Sequence, residues 1–166
     1  MRGAVLLLTA LACQQAAAQE PSWSETQSIP KWAAGAFQGA DFTKDYLLSV
    51  RLNPFLLQGD FNGDRQLDVA VLISRRGTGA QGIAILHAGS TRAAVVGAGR
   101  AIGNGGDNFS WMDAWSVYPK GPVHRGADES APPQLRGDAL LVEKLESASA
   151  IVYWDGTAYR WYQQGD

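Results

Sequence analysis

The stretch GDFNGDRQLDVAVLIS, residues 59–74, joins a dense group of polar oxygens to the strongest strand signal in the chain. Asp60, Asn62, Asp64 and Asp68 lie within a single nine-residue segment. Residues 68–74 are then almost continuously apolar and rich in β-branched side chains, which is typical of a strand buried on both faces. Carboxylates this close together repel one another. The chain must therefore bind a cation here or use these oxygens to hold a turn.

Short strands separated by Gly-rich turns surround this stretch. We predict strands at 82–87, 93–96 and 138–145, and a hairpin over 150–162. Residues 31–42 are typical of a short helix weakened by two glycines, and residues 46–52 of a first strand or a second short helix. The predicted fold is β-rich, either all-β or α+β. It is a small antiparallel meander with a short N-terminal helix and a C-terminal β-hairpin.

The C-terminal hairpin is predicted in detail. Asp155-Gly156 is a favoured pair for a two-residue type I′ turn. That turn places Trp154 opposite Thr157 and Val152 opposite Tyr159, with an aromatic cluster on one face of the hairpin.

The chain begins with the layout of a secretory signal peptide. A basic start is followed by a short apolar run at 4–12 and by small residues at 16–18. We predict cleavage after Ala18, so that residues 1–18 are the signal peptide and the protein is periplasmic or secreted. The chain has one cysteine, Cys13, which lies inside this leader. The competing interpretation is a lipid anchor at Cys13.

Residues 19–166 are predicted to form a single globular domain. A flexible arm covers about 19–30, and a Pro/Gly-rich loop at 119–137 is either functional or loosely ordered. The chain carries 14 Lys and Arg against 16 Asp and Glu, which gives no basic surface for nucleic acid. No apolar stretch after the leader is long enough for a transmembrane helix.

The spacing of the oxygen donors predicts a calcium site. Alternate side chains of a curled loop point toward one centre, and calcium takes about six to eight oxygen ligands. With Asp60 as position 1, side-chain donors fall at positions 1, 3, 5 and 9, and a backbone carbonyl falls at position 7. Position 12 is Val71 rather than the Glu of an EF-hand. The predicted ligands are Asp60, Asn62, Asp64, Gln66 (through its carbonyl) and Asp68.

This loop resembles the calcium loops of FG-GAP or VCBS-type repeats, as in the propeller of integrin alpha chains. In those repeats a DxDxDGxxD-like loop leads into an apolar strand, as residues 60–68 lead into 69–73 here. The resemblance covers about residues 55–90 and implies one structural calcium ion. The rest of the chain resembles an uncharacterised family of secreted bacterial proteins. Arg65 departs from the family's Gly, and a single copy of the motif does not make a complete propeller.

Two other interpretations of the acidic stretch stay open. Asp60, Asn62 and Asp64 could form Asx-turns that start a strand and bind nothing, or the stretch could be a catalytic acid cluster. A second motif, the GxGxxxG pattern at 97–103, follows a predicted strand, but Asn104-Gly105-Gly106 would break the helix that a dinucleotide site requires.

Aromatic residues recur at helical spacing in the region 109–118. They could form the core face of a short helix or a platform for a sugar or peptide. Two nearby carboxylates could flank a ligand or solvate that helix. The candidate ligand surface consists of Asp107, Trp111, Asp113 and Trp115.

These features favour a secreted or periplasmic, non-enzymatic binding or interaction module with one structural calcium ion. Its partner would be an unidentified protein or glycan of the cell envelope. The alternatives are a cell-envelope hydrolase with a site among Asp107, Asp113 and the tryptophans Trp111 and Trp115, and an inhibitor or immunity-type protein of an envelope enzyme. His87 and His124 have no companions at metal-ligand spacing, so a zinc site is not indicated.

Overall fold

The computed structural model describes residues 28–126 and 130–165. The predicted signal peptide (1–18), Cys13 and residues 19–27 of the predicted arm lie outside the described residues. Residues 127–129 of the Pro/Gly-rich loop lie outside them as well.

Within these residues the fold is β-rich, as predicted, and nine strands form two antiparallel sheets. The first sheet contains β1 (Tyr46–Leu48), β2 (Leu56–Gly59), β3 (Asp68–Arg75), β4 (Gln81–Leu86) and β5 (Ala94–Gly97). The second contains β6 (Ala114–Tyr118), β7 (Ala139–Lys144), β8 (Ala148–Trp154) and β9 (Tyr159–Gly165). Helices α1 (Lys31–Gln38) and α2 (Ala40–Thr43) precede both sheets, and 3-10 turns lie at Gly103–Gly105 and Phe109–Trp111.

Strand β3 is the centre of the first sheet. Strand β4 pairs along one of its edges, while β2 and β1 pair with successive parts of the other edge. Its side chains are buried on both faces, as its continuous apolar sequence predicts. Val69, Val71 and Ile73 pack toward the helices, whereas Ala70 and Leu72 pack toward the second sheet.

The helices cover the outer face of the first sheet. Phe37 of α1 and Phe42 of α2 are buried there, with ring centroids 5.4 Å apart in an edge-to-face arrangement. The predicted helix at 31–42 is interrupted at Gly39, whose extended backbone (ψ 149°) separates α1 from α2. The segment 46–52 is a strand only at β1.

The second sheet is a simple meander in the order β6-β7-β8-β9. Its inner face packs against the first sheet through Trp115, Leu140, Val142 and Val152. The helix predicted from the aromatic spacing at 109–118 is wrong. A short 3-10 turn that contains Trp111 is followed instead by strand β6. In this strand Trp115 points into the core between the sheets, and Tyr118, three residues later, packs on the other face.

The register of the C-terminal hairpin differs from the prediction. Trp154 pairs with Tyr159 and Val152 with Trp161, so the connection has four residues rather than two. Asp155 causes this difference, since its Oδ1 accepts hydrogen bonds from the backbone N–H groups of Thr157 and Ala158 at 2.7 and 2.9 Å. The shift is two residues, which preserves the faces of the strands. The predicted aromatic cluster therefore still forms.

The Pro/Gly-rich segment 119–137 packs partly against strand β9. The hydroxyl of Tyr162 accepts a hydrogen bond from the Gly126 N–H at 2.9 Å and donates one to the Ser130 carbonyl at 3.2 Å. Gln164 donates to the His124 carbonyl at 3.2 Å. No helix among the described residues is both long enough and apolar enough to span a bilayer.

The hairpin geometry predicts that Gly156→Val destabilises the protein by about 1–3 kcal/mol, a typical cost of forcing a side chain into a left-handed backbone conformation. Gly156 has φ +109°, and a Cβ there would lie 2.8 Å from the Arg136 guanidinium. Urea denaturation measures the effect. Gly121→Val is the matched control, because no positive φ occurs there and the nearest heavy atom would be 3.8 Å away. Equal stability of the two variants would contradict the hairpin geometry.

Candidate metal-binding loop

The acidic stretch forms the loop of the β2–β3 hairpin. Gly59 pairs with Asp68, so residues 60–67 are the connection between the two strands. As the sequence predicts, the polar cluster leads directly into the buried strand β3. The loop begins after Gly59, the last residue of β2, and ends at Asp68, the first residue of β3.

Side-chain oxygens in this loop accept backbone N–H groups a few residues further along the chain. Asp60 accepts from Gly63 at 2.7 Å and from Arg65 at 2.9 Å. The Asn62 side-chain oxygen accepts from Asp64 at 2.8 Å, and Asp64 Oδ1 accepts from the Gln66 N–H at 2.8 Å. These are successive Asx-type turns, which curl the backbone into a compact loop.

Two residues of the loop adopt the left-handed backbone conformation. Gly63 has φ +86° and Arg65 has φ +69°. Arg65 therefore adopts a backbone conformation that glycine adopts more readily than any other residue. At position 63 glycine is required for space as well, because a Cβ would lie 2.5 Å from the Arg136 carbonyl oxygen.

Asp68 differs from the other predicted ligands because its side chain is completely buried. Its Oδ2 accepts the Phe61 N–H at 2.9 Å, and its Oδ1 accepts the Ala88 N–H at 2.8 Å. Burial raises the pKa of Asp68, while these hydrogen bonds and the nearby His87 act in the opposite direction. The carboxylate thus connects the start of the loop to the residues that follow β4.

The loop also contacts the second sheet through Asp138, for which the sequence predicts only the start of a strand. Asp138 Oδ2 accepts the Asp60 N–H at 3.1 Å, and the Asp138 N–H donates to the Asp60 carbonyl at 2.6 Å. Its Oδ1 accepts the Lys120 N–H at 2.9 Å. No local pattern indicates this contact, because the partners are 78 residues apart.

The remaining predicted ligands are more accessible than Asp68. Asp64 and Gln66 are exposed, and Asp60 and Asn62 are partly exposed. Hydrogen bonds from the Asn62 side chain and the Gln66 backbone lower the pKa of Asp64, which favours its ionised form. An ionised carboxylate has about four lone-pair sites, so the two N–H bonds to Asp60 and the three to Asp64 leave capacity for a further ligand.

The oxygen atoms of the loop meet some of the requirements of a calcium site. Carboxylate, amide and backbone carbonyl oxygens are the ligands that calcium prefers, and Asp60, Asn62, Asp64 and the Gln66 carbonyl supply them on one short loop. Across the described ranges 28–126 and 130–165, no group of three or more His, Cys, Asp and Glu side chains is arranged to hold a metal ion. A calcium ion here would therefore depend on the amide and carbonyl oxygens and on water.

The four residues of the candidate ligand surface at 107–115 do not form one exposed surface. Trp115 is only 4% exposed and its indole N–H donates to the Pro54 carbonyl at 2.5 Å, so it belongs to the core rather than to a surface. Trp111 is partly buried against Trp161, with centroids 6.1 Å apart. Asp107 and Asp113 are exposed, and their backbones hydrogen-bond to Gly99 and Glu143 respectively.

The glycines of the segment 97–106 have a structural explanation. A Cβ at Gly103 or Gly105 would lie 2.5 Å from the nearest atom of the Trp161 side chain. These glycines therefore allow the backbone to lie against this tryptophan. The following residues form a 3-10 turn rather than the longer helix that a dinucleotide site requires.

A second polar contact between the sheets involves His87, for which the sequence indicates no role. Its Nε2 lies 2.7 Å from the Tyr159 hydroxyl, and its ring packs edge-on against Trp154 at 5.0 Å. Burial raises the pKa of Tyr159, and the negative charge of Asp68 acts in the same direction. This contact joins the end of β4 to the C-terminal hairpin.

Comparisons of the chain with protein-family models, curated proteins and solved structures find no match.

The geometry of Asp68 predicts that Asp68→Asn destabilises the protein. An amide has one acceptor oxygen, so one of the two N–H groups would face an NH₂ donor, at a cost of about 1–3 kcal/mol. Urea denaturation in the presence of a chelator measures this effect without a metal contribution. Asp107→Asn, on an exposed loop, is the matched control and should leave the free energy of unfolding unchanged. If Asp68→Asn and Asp107→Asn have the same free energy of unfolding, Asp68 does not hold the loop.

Proposed function

We propose that the chain is a periplasmic or secreted binding or interaction module without catalytic activity, and that its loop at 60–68 takes one structural calcium ion. The observation that supports the calcium site most strongly is the backbone of the loop. Asp60, Asn62 and Asp64 are held by successive Asx-type turns, and Arg65 adopts the left-handed conformation expected of the position after the third ligand.

The residues divide into ligands and a support. Asp60, Asn62 and Asp64 would bind calcium through their side chains and Gln66 through its carbonyl. Asp68, the fifth predicted ligand, would instead position the loop from beneath, because its side chain is completely buried and accepts the N–H groups of Phe61 and Ala88. A bound calcium ion would neutralise the carboxylates and fix the loop against the second sheet.

A structural role for the ion follows from the position of the loop. The loop links the first sheet, which it leaves at Gly59 and re-enters at Asp68, to the start of β7 at Asp138. Fixing this connection stabilises the packing of the two sheets, because Phe61 in the same loop is completely buried between them. The location outside the cytoplasm is supported by the signal-peptide pattern at 1–18.

Calcium should raise the melting temperature of the mature protein relative to a chelated sample. An ion present at about 100 times its dissociation constant raises the free energy of unfolding by about 2.7 kcal/mol. Differential scanning calorimetry with millimolar calcium or chelator measures the shift. The double variant Asp60→Asn, Asp64→Asn should lose the calcium-dependent shift, whatever its own baseline stability.

The matched control is the double variant Asp107→Asn, Asp113→Asn, which removes the same charge from a different surface and should keep the full calcium response. A wild-type protein with the same melting temperature in calcium and in chelator would contradict the calcium site.

A further inference from the structure

Strand β5 is one edge of the first sheet, since it is the last strand of the sheet order and, among residues 28–126 and 130–165, pairs with β4 alone. Its sequence, Ala94–Gly97, contains no charged residue or proline that would discourage pairing with another chain. By contrast, strand β9, at one edge of the second sheet, is covered by the segment that contains His124 and Gly126.

The hydrogen bonds at the end of β5 show which of its backbone groups point outward. The Gly97 N–H donates to the Arg100 carbonyl at 2.9 Å, away from β4, whereas the Ala98 N–H donates to the Gln81 carbonyl at 2.7 Å, toward it. Backbone groups alternate along a strand, so the N–H and C=O of Val95 also point away from β4. Among the described hydrogen bonds, none from the chain's loops or turns satisfies these two groups.

A cavity of about 340 Å³ opens beside this edge, between the strand and the helices. Phe42, Tyr46 and Val95 supply its apolar lining. Its volume lies at the lower end of the range of about 300–1,000 Å³ that is typical of ligand pockets. An apolar or aromatic side chain of an added strand could enter it, since Val95 points to this face of the sheet.

Cations lie at both ends of β5. Arg92 precedes the strand, Arg100 lies next to Gly97, and both are exposed and line the cavity. The Arg75 guanidinium lies against Gly99, beside Arg100. The carboxylates of the cavity, Asp41 and Asp45, lie on the helix side instead, where Asp41 is paired with Lys44 at 3.8 Å. The strand side of the site is therefore cationic, within a chain whose net charge is −2.

We propose that an extended acidic peptide segment of a partner protein binds here by adding a strand to β5. Its backbone would pair with the outward groups of Val95, one apolar or aromatic side chain would fill the cavity, and flanking carboxylates would contact Arg92 and Arg100. In this mode of recognition the main chain supplies affinity and the pockets for alternate side chains supply specificity. The inference rests on the proposed role as a binding module but does not depend on calcium.

The probes are two synthetic peptides with blocked ends and a fluorescent label, Thr-Glu-Thr-Phe-Thr-Glu-Thr and its Lys-for-Glu counterpart. Fluorescence anisotropy with the mature protein should show about tenfold tighter binding of the acidic peptide, because two exposed ion pairs add modest energy. N-methylation of alternate amides, which removes the strand hydrogen bonds, should abolish binding. Equal affinity for the two peptides, or no effect of N-methylation, would overturn the proposal.

The protein variants test the same surface. The double variant Arg92→Glu, Arg100→Glu should lose the preference for the acidic peptide, whereas Lys144→Glu, at the exposed end of β7, should keep it. Val95→Pro removes the outward N–H without removing a hydrogen bond to β4. This variant should bind both peptides more weakly than the wild type does. Circular dichroism checks that each variant is folded, and the N-methylated peptide tests the strand pairing without any variant.

Two further results would overturn the proposal, and each is separable from the calcium experiment. Failure of both peptides to bind at millimolar concentration contradicts the peptide site, even if the calcium-dependent melting shift is present. Sedimentation that shows dimers broken by Val95→Pro, without peptide binding, would assign the edge to a second copy of the chain. Peptide binding that persists in chelator, without a calcium shift, would support this surface and refute the calcium site alone.

Discussion

The side chain of Asp68 makes the contact on which the arrangement of this molecule depends. It is completely buried, yet both of its oxygens are satisfied, one by the N–H at the start of the acidic loop and one by the N–H that follows β4. A buried carboxylate is costly unless it is hydrogen-bonded in this way. Because the same residue begins β3, the central strand of the first sheet cannot form its ladder without also placing the loop.

The loop then determines how the two sheets meet. Phe61, placed by its hydrogen bond to Asp68, fills the core between the sheets, and the backbone of Asp60 pairs with Asp138 at the start of β7. The pair of His87 and Tyr159 adds a second polar contact between the sheets. Calcium would strengthen the exposed side of a loop whose buried side is already fixed, which is a structural rather than a catalytic role.

The sequence was informative where the pattern was local and strong. The continuous apolar run of β3 predicted burial on both faces, and the hairpin at 150–162 was predicted with its aromatic face. Its register was missed because the side chain of Asp155 bonds its own loop, a competition that the residue pair Asp155-Gly156 does not reveal. The spacing of Trp111 and Trp115 is typical of a helix, but the chain passes from a 3-10 turn into strand β6 between them. The Asp138 contact could not be predicted from local pattern, since it joins segments 78 residues apart.

Native-state hydrogen exchange at two amides tests the role of Asp68 most directly. We expect the N–H groups of Phe61 and Ala88, measured by NMR in the presence of a chelator, to be protected to a degree similar to Val71 in the centre of β3, because they open only when the buried carboxylate is exposed. Exchange of either amide at the rate of the exposed turn at Gly77 would contradict this account. In that case Asp68 would not link the loop to the strand that follows it.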